Sequence, residues 1–409
     1  MSNLKDTIKM ATASLGTHKG RSIMTMLGIV IGVSSILIVM SVGNGARELI
    51  VNQIQAFGPQ NVFINPGTNP FGADIVLTKS LDMTDVDDLK RKEEVPDAVI
   101  INPAVQTYLT IKYRDTSKLA LTLGTAEYAA DIYQIQFIKG RNMDASDVLA
   151  KAHIVMLGEK TAKDLFGLDD PIGKKVKIKN DSFTVTGVFT SKGADFYGVG
   201  DMVVIPYTTA QQYLLGTRYF QEIAVQASSA DKVPEMVEDI QKVLRDNHDI
   251  KVGQDDDFII TTQEDMIESI DTILNALTAF LAFVAAISLV VGGIGVMNIM
   301  FVSVTERTRE IGLRKSLGAT NKNILGQFLT EAVILTGSGG IVGIAVGVLL
   351  TLLLTFVGSY VAGTSFPFSF SITGAVLGII VSCGTGLIFG VFPARAASRK
   401  SPIEALRYE

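Results

Sequence analysis

Residues 332–394 read AVILTGSGGIVGIAVGVLLTLLLTFVGSYVAGTSFPFSFSITGAVLGIIVSCGTGLIFGVFPA, 63 residues without one Asp, Glu, Lys or Arg. A helix rises about 1.5 Å per residue, so about 20 apolar residues cross a hydrocarbon core of about 30 Å. This stretch therefore holds two crossings and a connection. The connection falls at Gly358 to Ser371, where Gly358, Gly363, Pro367 and several Ser and Thr interrupt the apolar run. Working outward, 25 uncharged residues separate Arg21 from Arg47, and 34 separate Asp271 from Glu306. Four transmembrane helices are predicted, over 22–44, 275–303, 327–357 and 371–393. Lys5, Lys9, Lys19 and Arg21 precede the first in the manner of a secretory signal. Its apolar stretch exceeds the usual signal core of about 7–15 residues and three more spans follow, so it reads as an uncleaved helix.

The charge is divided as sharply as the hydropathy. Of the 36 basic and 41 acidic residues, 23 and 35 lie between Arg47 and Asp271, leaving 13 and 6 for the other 184 positions. The long polar segment is acidic and the apolar remainder is basic. A plain soluble enzyme is excluded, and an acidic surface repels nucleic acid. Lys and Arg near span ends favour the cytoplasmic side. They gather in the N-terminal segment, in the 304–326 loop (Arg307, Arg309, Arg314, Lys315, Lys322), and in the 394–409 tail (Arg395, Arg399, Lys400, Arg407). The 358–370 loop carries none. Both termini are therefore expected in the cytoplasm. The expected fold is an integral membrane protein: four transmembrane α-helices, with a large extracytoplasmic α+β domain inserted between helices 1 and 2.

That domain, residues 45–274 with its helical stalks, carries strand-like runs at Val99–Val105, Tyr108–Tyr113, Leu119–Leu123, Lys175–Ile178, Phe183–Phe189 and Met202–Ile205. Thr84 is placed to cap a helix over Asp85–Glu94, and Val233, Val237, Ile240 and Leu244 form an apolar helical stripe. A loose division into two lobes is placed near residues 115–215. At its edges, Ile50, Ile54 and Phe57 extend the first span until Gly58-Pro59, and a Thr261/Glu264 capping pattern starts a helix that runs into the second. The first 21 residues, with Leu4, Ile8, Ala11 and Leu15 on one face, form an amphipathic helix suited to the inner membrane surface and its lipid.

No catalytic chemistry is legible. One Cys and the scattered His18, His153 and His248 make neither a disulfide framework nor a metal cluster, and no cofactor is expected. The sequence Gly167 to Lys175 resembles a phosphate loop but has five residues between its glycines and Lys where Ser or Thr should follow; it reads as a turn before a strand. Asp255-Asp256-Asp257 lacks the alternating spacing of a calcium loop and reads as a solvated turn.

Inside the spans, glycines recur at fourfold spacing (Gly28, Gly32; Gly339, Gly343, Gly347; Gly374, Gly378; Gly386, Gly390), a pattern that lets helix backbones approach. Gly292, Gly293, Gly295 and Asn298 are candidates for the same packing in span two. Glu331, just within the membrane, requires a partner, and a structural hydrogen bond is the favoured reading. The stretch 302–320 is the densest signal. Glu306, Arg307, Arg309, Glu310 and Arg314 interleave with Ile311 and Leu313, and a turn is placed near Gly312. A headgroup anchor accounts for the basic residues alone; a helix that docks a cytosolic protein accounts for all seven.

Four passages resemble the permeases of MacB-type ABC transporters. They are KGRSIMTMLGIVIGVSSI (19–36), PIGKKVKIKNDSFTVTGVF (171–189), GGIGVMNIM (292–300) running into TERTREIGLRKSLGAT (305–320), and PARAASRKSPIEALRYE (393–409). The resemblance implies a homodimer or paired permease in a bacterial or archaeal cell membrane. It implies an ATP-hydrolysing partner subunit that docks on the 304–320 loop, in a separate chain because the permease begins almost at Met1. It also implies an extracytoplasmic adaptor protein. The expected function is efflux of an antibiotic, peptide or lipid-like substrate by mechanotransmission, the chain itself being no enzyme. A non-transporting regulator of a cell-wall hydrolase is the alternative, and a ligand sensor is a third reading that leaves the docking motif unexplained.

Overall fold

The charge-free runs fold as long helices. The computed structural model describes residues 19–56, 58–68, 78–191, 198–362 and 366–406; the amphipathic helix expected over residues 1–21 lies outside them up to residue 18. Helix α1 spans Lys19–Ala56, α5 Gln263–Glu306, α7 Asn321–Ala362 and α8 Ile372–Arg399. All four are long and apolar enough to cross a membrane. Each outruns its charge-free core. Gly358 lies inside α7 rather than at its end, because one glycine costs a helix only about 1 kcal/mol. Pro393 lies inside α8, which continues to Arg399 instead of stopping at 393. The break itself contains Pro367, and Ser371 caps α8 by accepting the Gly374 N–H.

The chain divides into two compact units, residues 1–49 with 270–409, and residues 50–269. In the first, the small residues of α7 and α8 sit against α1. A Cβ on Gly343 would lie 2.9 Å from Val33 Cβ, one on Gly347 3.0 Å from Leu37 Cδ2, and one on Gly378 2.8 Å from Val33 Cγ1. Gly386 and Gly390 instead admit Thr336 and Ala332 of α7. Lipid supplies no hydrophobic drive between helices, so this close approach is what allows dispersion to hold them. Where α1 and α5 become polar, Arg47 and Asp271 form a bidentate pair, Nε to Oδ1 at 2.5 Å and Nη2 to Oδ2 at 2.7 Å.

The second unit is one ten-stranded mixed sheet: β1 Asn61–Pro66, β2 Ala98–Tyr113, β3 Thr116–Thr125, β4 Ile135–Gly140, β5 Ile154–Gly158, β6 Lys175–Ile178, β7 Asp181–Ser191, β8 Val203–Pro206, β9 Glu222–Ala227 and β10 Phe258–Thr262. Its order is β10-β1-β9-β2-β3-β8-β5-β7-β4, with β6 pairing β2 and β7. Strands from the 115–215 segment fill one end and the flanking segments the other, but the hydrogen bonding is continuous and the two lobes are one unit. The two strands expected over 99–105 and 108–113 are one, β2, which turns into β3 through Arg114-Asp115.

The expected caps shift by small steps. Helix α2 covers Met83–Leu89, and its cap is Asp82, not Thr84; Asp82 and Asp85 exchange backbone hydrogen bonds in a capping box. The box that starts α5 is Thr262 with Asp265, one residue beyond the Thr261/Glu264 pattern; Thr262 is the last residue of β10 and directly precedes the helix. Helix α3 is Glu159–Phe166, and α4, Val233–Asn247, buries Val233, Met236, Ile240, Val243 and Leu244 against the sheet. The segment 167–174 is a turn region before β6, with Gly167 and Gly173 at φ +63° and +77°.

Candidate functional site

Between α5 and α7 lies helix α6, Thr308–Ser316, followed by a turn at Gly318 whose φ is +98°. The bend that was expected near Gly312 occurs instead at Arg307, which has φ −98° and ψ 14°. Gly312 is helical and buried. Its missing side chain removes bulk from the inward face and does not break the helix.

Helical spacing sorts the side chains of α6. Thr308, Ile311 and Gly312 are buried. Ile311 packs in a cluster with Val304, Ile324, Phe328, Ala332, Ala394 and Ala397, drawn from α5, α7 and α8. Ile311 was expected among the outward docking residues; it is an anchor, because a 100° step per residue turns it away from Arg309 and Leu313. On the opposite face Arg309, Glu310 and Leu313 are exposed, as is Glu306 at the end of α5. Leu317, one turn past Leu313, continues this face and is 81% exposed. Sequence reasoning passed over Leu317, although its fourfold spacing from Leu313 was the available signal.

Polar contacts fix the helix to its neighbours. Arg307 Nη1 lies 3.4 Å from both carboxylate oxygens of Glu331 on α7. That contact supplies a partner of the kind expected for Glu331. Arg314 donates to Gln327 Oε1 at 2.7 Å and to Glu310 Oε1 at 2.5 Å. Lys315 Nζ donates to the carbonyls of Ser398 and Lys400 at 2.6 and 2.8 Å, capping the C-terminal end of α8. Of the seven expected docking residues, Arg307, Ile311 and Arg314 thus hold α6 in place, while Glu306, Arg309, Glu310 and Leu313 face outward.

The packing glycines divide likewise. A Cβ on Gly28 would sit 2.8 Å from Gly292 Cα, so α1 and α5 cross there backbone to backbone. Gly32 admits Leu289 and Gly293 admits the Phe389 ring, whose Cδ2 would lie 2.3 Å from an added Cβ. Gly295 is only half-buried and Asn298 is exposed, so Asn298 does not pack within the chain's own bundle as expected.

The polar unit holds a charged cluster that the sequence reading missed. His248 Nδ1 is 2.7 Å from Asp257 Oδ1, and Nε2 is 3.3 Å from Asp85 Oδ1, an ion-pair contact outside hydrogen-bond alignment. The Asp85 carboxylate, followed by Asp257, raises the His248 pKa to about 9 against the opposing effect of burial. Burial works against the charged form of Asp85, yet His248, the Asp82 N–H and the Asn247 amide hold its carboxyl below the usual range. Asp256 meets Arg245, so two of the three acids expected in a solvated turn have internal partners, while Asp255 is exposed. The cluster's signal was unreadable, since the partners lie on separate elements.

Four helices long and apolar enough to cross a membrane, with the mixed sheet between the first and second in chain order, make the class that of a multi-pass membrane protein. Residues 22–243 match the MacB-like periplasmic core domain, and residues 282–402 the FtsX-like permease C-terminal domain. The chain belongs to the MacB-like permease family and is a multi-pass protein of the cytoplasmic membrane. It is 34% identical over 412 residues to the macrolide export ATP-binding/permease protein MacB of Azoarcus sp. (strain BH72), covering 100% of this chain and 60% of that one. The corresponding protein of Wolinella succinogenes is 33% identical over 409 residues, covering 99% and 61%. The chain thus spans about 60% of the length of these curated relatives. The crystal structure of the periplasmic region of MacB from Actinobacillus actinomycetemcomitans is 22% identical with a TM-score of 0.47, covering 55% of this chain and 98% of that one.

Proposed function

We propose that this chain is the permease of an ABC exporter, with residues 50–269 outside the membrane and both ends and α6 in the cytoplasm. One observation carries the proposal. Helix α6 is anchored by Ile311, Arg307 and Lys315 while it presents Glu306, Arg309, Glu310 and Leu313 outward. A helix gripped on one face and open on the other is suited to receive force from a docked ATP-hydrolysing subunit. Closure of a pair of such subunits moves α6, and α1 and α5 pass the movement to the outer domains of a permease pair. The substrate is an antibiotic, peptide or lipid-like compound expelled from the outer side, in line with the macrolide export named for the relatives. An extracytoplasmic adaptor docks on the outer domain. The ATPase acts as a partner subunit, and the 409 residues contain no G-x-x-x-x-G-K-[ST] loop of their own.

The test is co-purification of the ATPase with the permease in nanodiscs. Glu310→Arg places like charges at a desolvated contact, a mismatch that can cost several kcal/mol, and association should weaken tenfold or more. Because Glu310 also accepts from Arg314, Glu310→Gln controls for loss of that pair. Arg399→Glu, exposed at the end of α8, should have far less effect. Retention of the ATPase by Glu310→Arg at the unaltered level would reduce α6 to a basic membrane anchor.

A further inference from the structure

Beyond Arg399 the chain makes one more short helix, α9, Pro402–Leu406. It packs on α6, and its Ala405 is buried. Its position is set by Lys315, whose ammonium holds the Ser398 and Lys400 carbonyls at the chain's exit from α8. Ile403 points away and is 74% exposed. Arg309, Leu313 and Leu317 meanwhile form an exposed stripe at fourfold spacing along α6 and its C-cap, with Leu317 the more exposed of the two leucines. The described part of this terminus therefore presents an isoleucine to the surroundings on a helix docked against the coupling helix itself.

We propose that α9 is a second element of the ATPase-docking surface, with Ile403 and Leu317 as its apolar contacts. The inference rests on the docking function proposed for α6 and extends that surface onto the tail. Three features favour this occupant over acyl chains. Ile403 follows Arg399 and Lys400, basic residues of the kind that mark the headgroup level, so it lies past the hydrocarbon. Lys315 spends its charge on backbone carbonyls and not on a phosphate. The helix on which α9 packs also exposes mixed charge, Arg309 and Glu310 with Glu306 just before it, whereas an anionic membrane surface selects basic residues alone. An interface core of a few apolar side chains rimmed by paired charges is the usual anatomy of a protein contact.

The experiment uses the full chain in its native membrane, with a photo-crosslinking benzoylphenylalanine at Leu313, Leu317, Ile403 or, as the lipid-facing control, Leu353. Irradiation should join positions 313, 317 and 403 to a polypeptide whose peptides include a G-x-x-x-x-G-K-[ST] loop, and position 353 to none. Ile403→Asp should then lower retention of that polypeptide about tenfold, as loss of an interface anchor does, with an unchanged elution profile for the permease. Crosslinking from 313 without 403, or from 403 to lipid only, overturns the role of the tail and leaves that of α6. Absence of the nucleotide-binding polypeptide from all three overturns both.

Discussion

At Gly28 and Gly292 two backbones touch, and the first side-chain carbon added to either has nowhere to go. Gly28→Leu or Gly292→Val should force α1 from α5. Overpacking of this kind costs about 1–3 kcal/mol, read as a lower unfolding midpoint in nanodiscs. Gly326, where an added Cβ meets nothing within 4 Å, should tolerate Ala. His248 makes a residue-scale prediction with a sign. Its folded pKa of about 9 exceeds the ordinary 6.5, so its stabilisation is complete below pH 6.5 and is lost as pH rises through 9. Asp85, held below its ordinary 3.8, acts oppositely, its contribution vanishing only as pH falls through its lowered value. The melting temperature of the polar unit should therefore decline between pH 6.5 and 9. His248→Gln should flatten that decline at a cost of about 1–2 kcal/mol near neutrality, discounted for screening at half-exposed Asp257. An unaltered slope in the variant would remove His248 as its origin.

At the scale of the element, α6 shows how one helix serves two surfaces. Ile311→Ala removes packing against three neighbouring helices and should cost about 2–5 kcal/mol of stability. Leu313→Ala, at an exposed site, should leave stability within about 0.5 kcal/mol while weakening ATPase retention. Thermal unfolding and co-purification of both variants separate the two effects. If both properties fall together in Leu313→Ala, the division between anchoring and docking faces fails. The same helix marks where sequence reading stops. Residues 304–320 were recognisable from their charge interleaving, but the inward or outward sense of Ile311 depended on locating the bend at Arg307 rather than Gly312. Glycine's helix cost of about 1 kcal/mol is small beside burial, so a buried glycine misleads as a breaker. The α5 cap falls one residue later than the pattern suggests, since Thr261 and Thr262 are equivalent by type and only the end of β10 at Thr262 fixes which of them precedes the helix.

For the whole molecule, the four spans were legible because absence of charge over 25 or more residues has few other meanings, whereas half the strands were not. Strand β5, Ile154–Gly158, is a short apolar run with no alternation, and β1 and β9 are buried on both faces. Orientation makes the prediction at this scale. A membrane-impermeant thiol reagent applied to intact cells should label Leu168→Cys, on a fully exposed turn, and not Ser316→Cys. The reverse pattern would invert the topology and end the transport reading. The sheet order carries one more consequence. Strand β1 sits between β9 and β10, whose residues are 156 or more positions later in the chain. The first strand synthesised must therefore wait for the last, and no local hairpin can substitute for that closure. Until then β1 has both edges bare, an invitation to wrong pairing. Chains truncated before residue 258 should remain protease-sensitive in this unit, so its folding depends on how quickly the rest of the chain is completed.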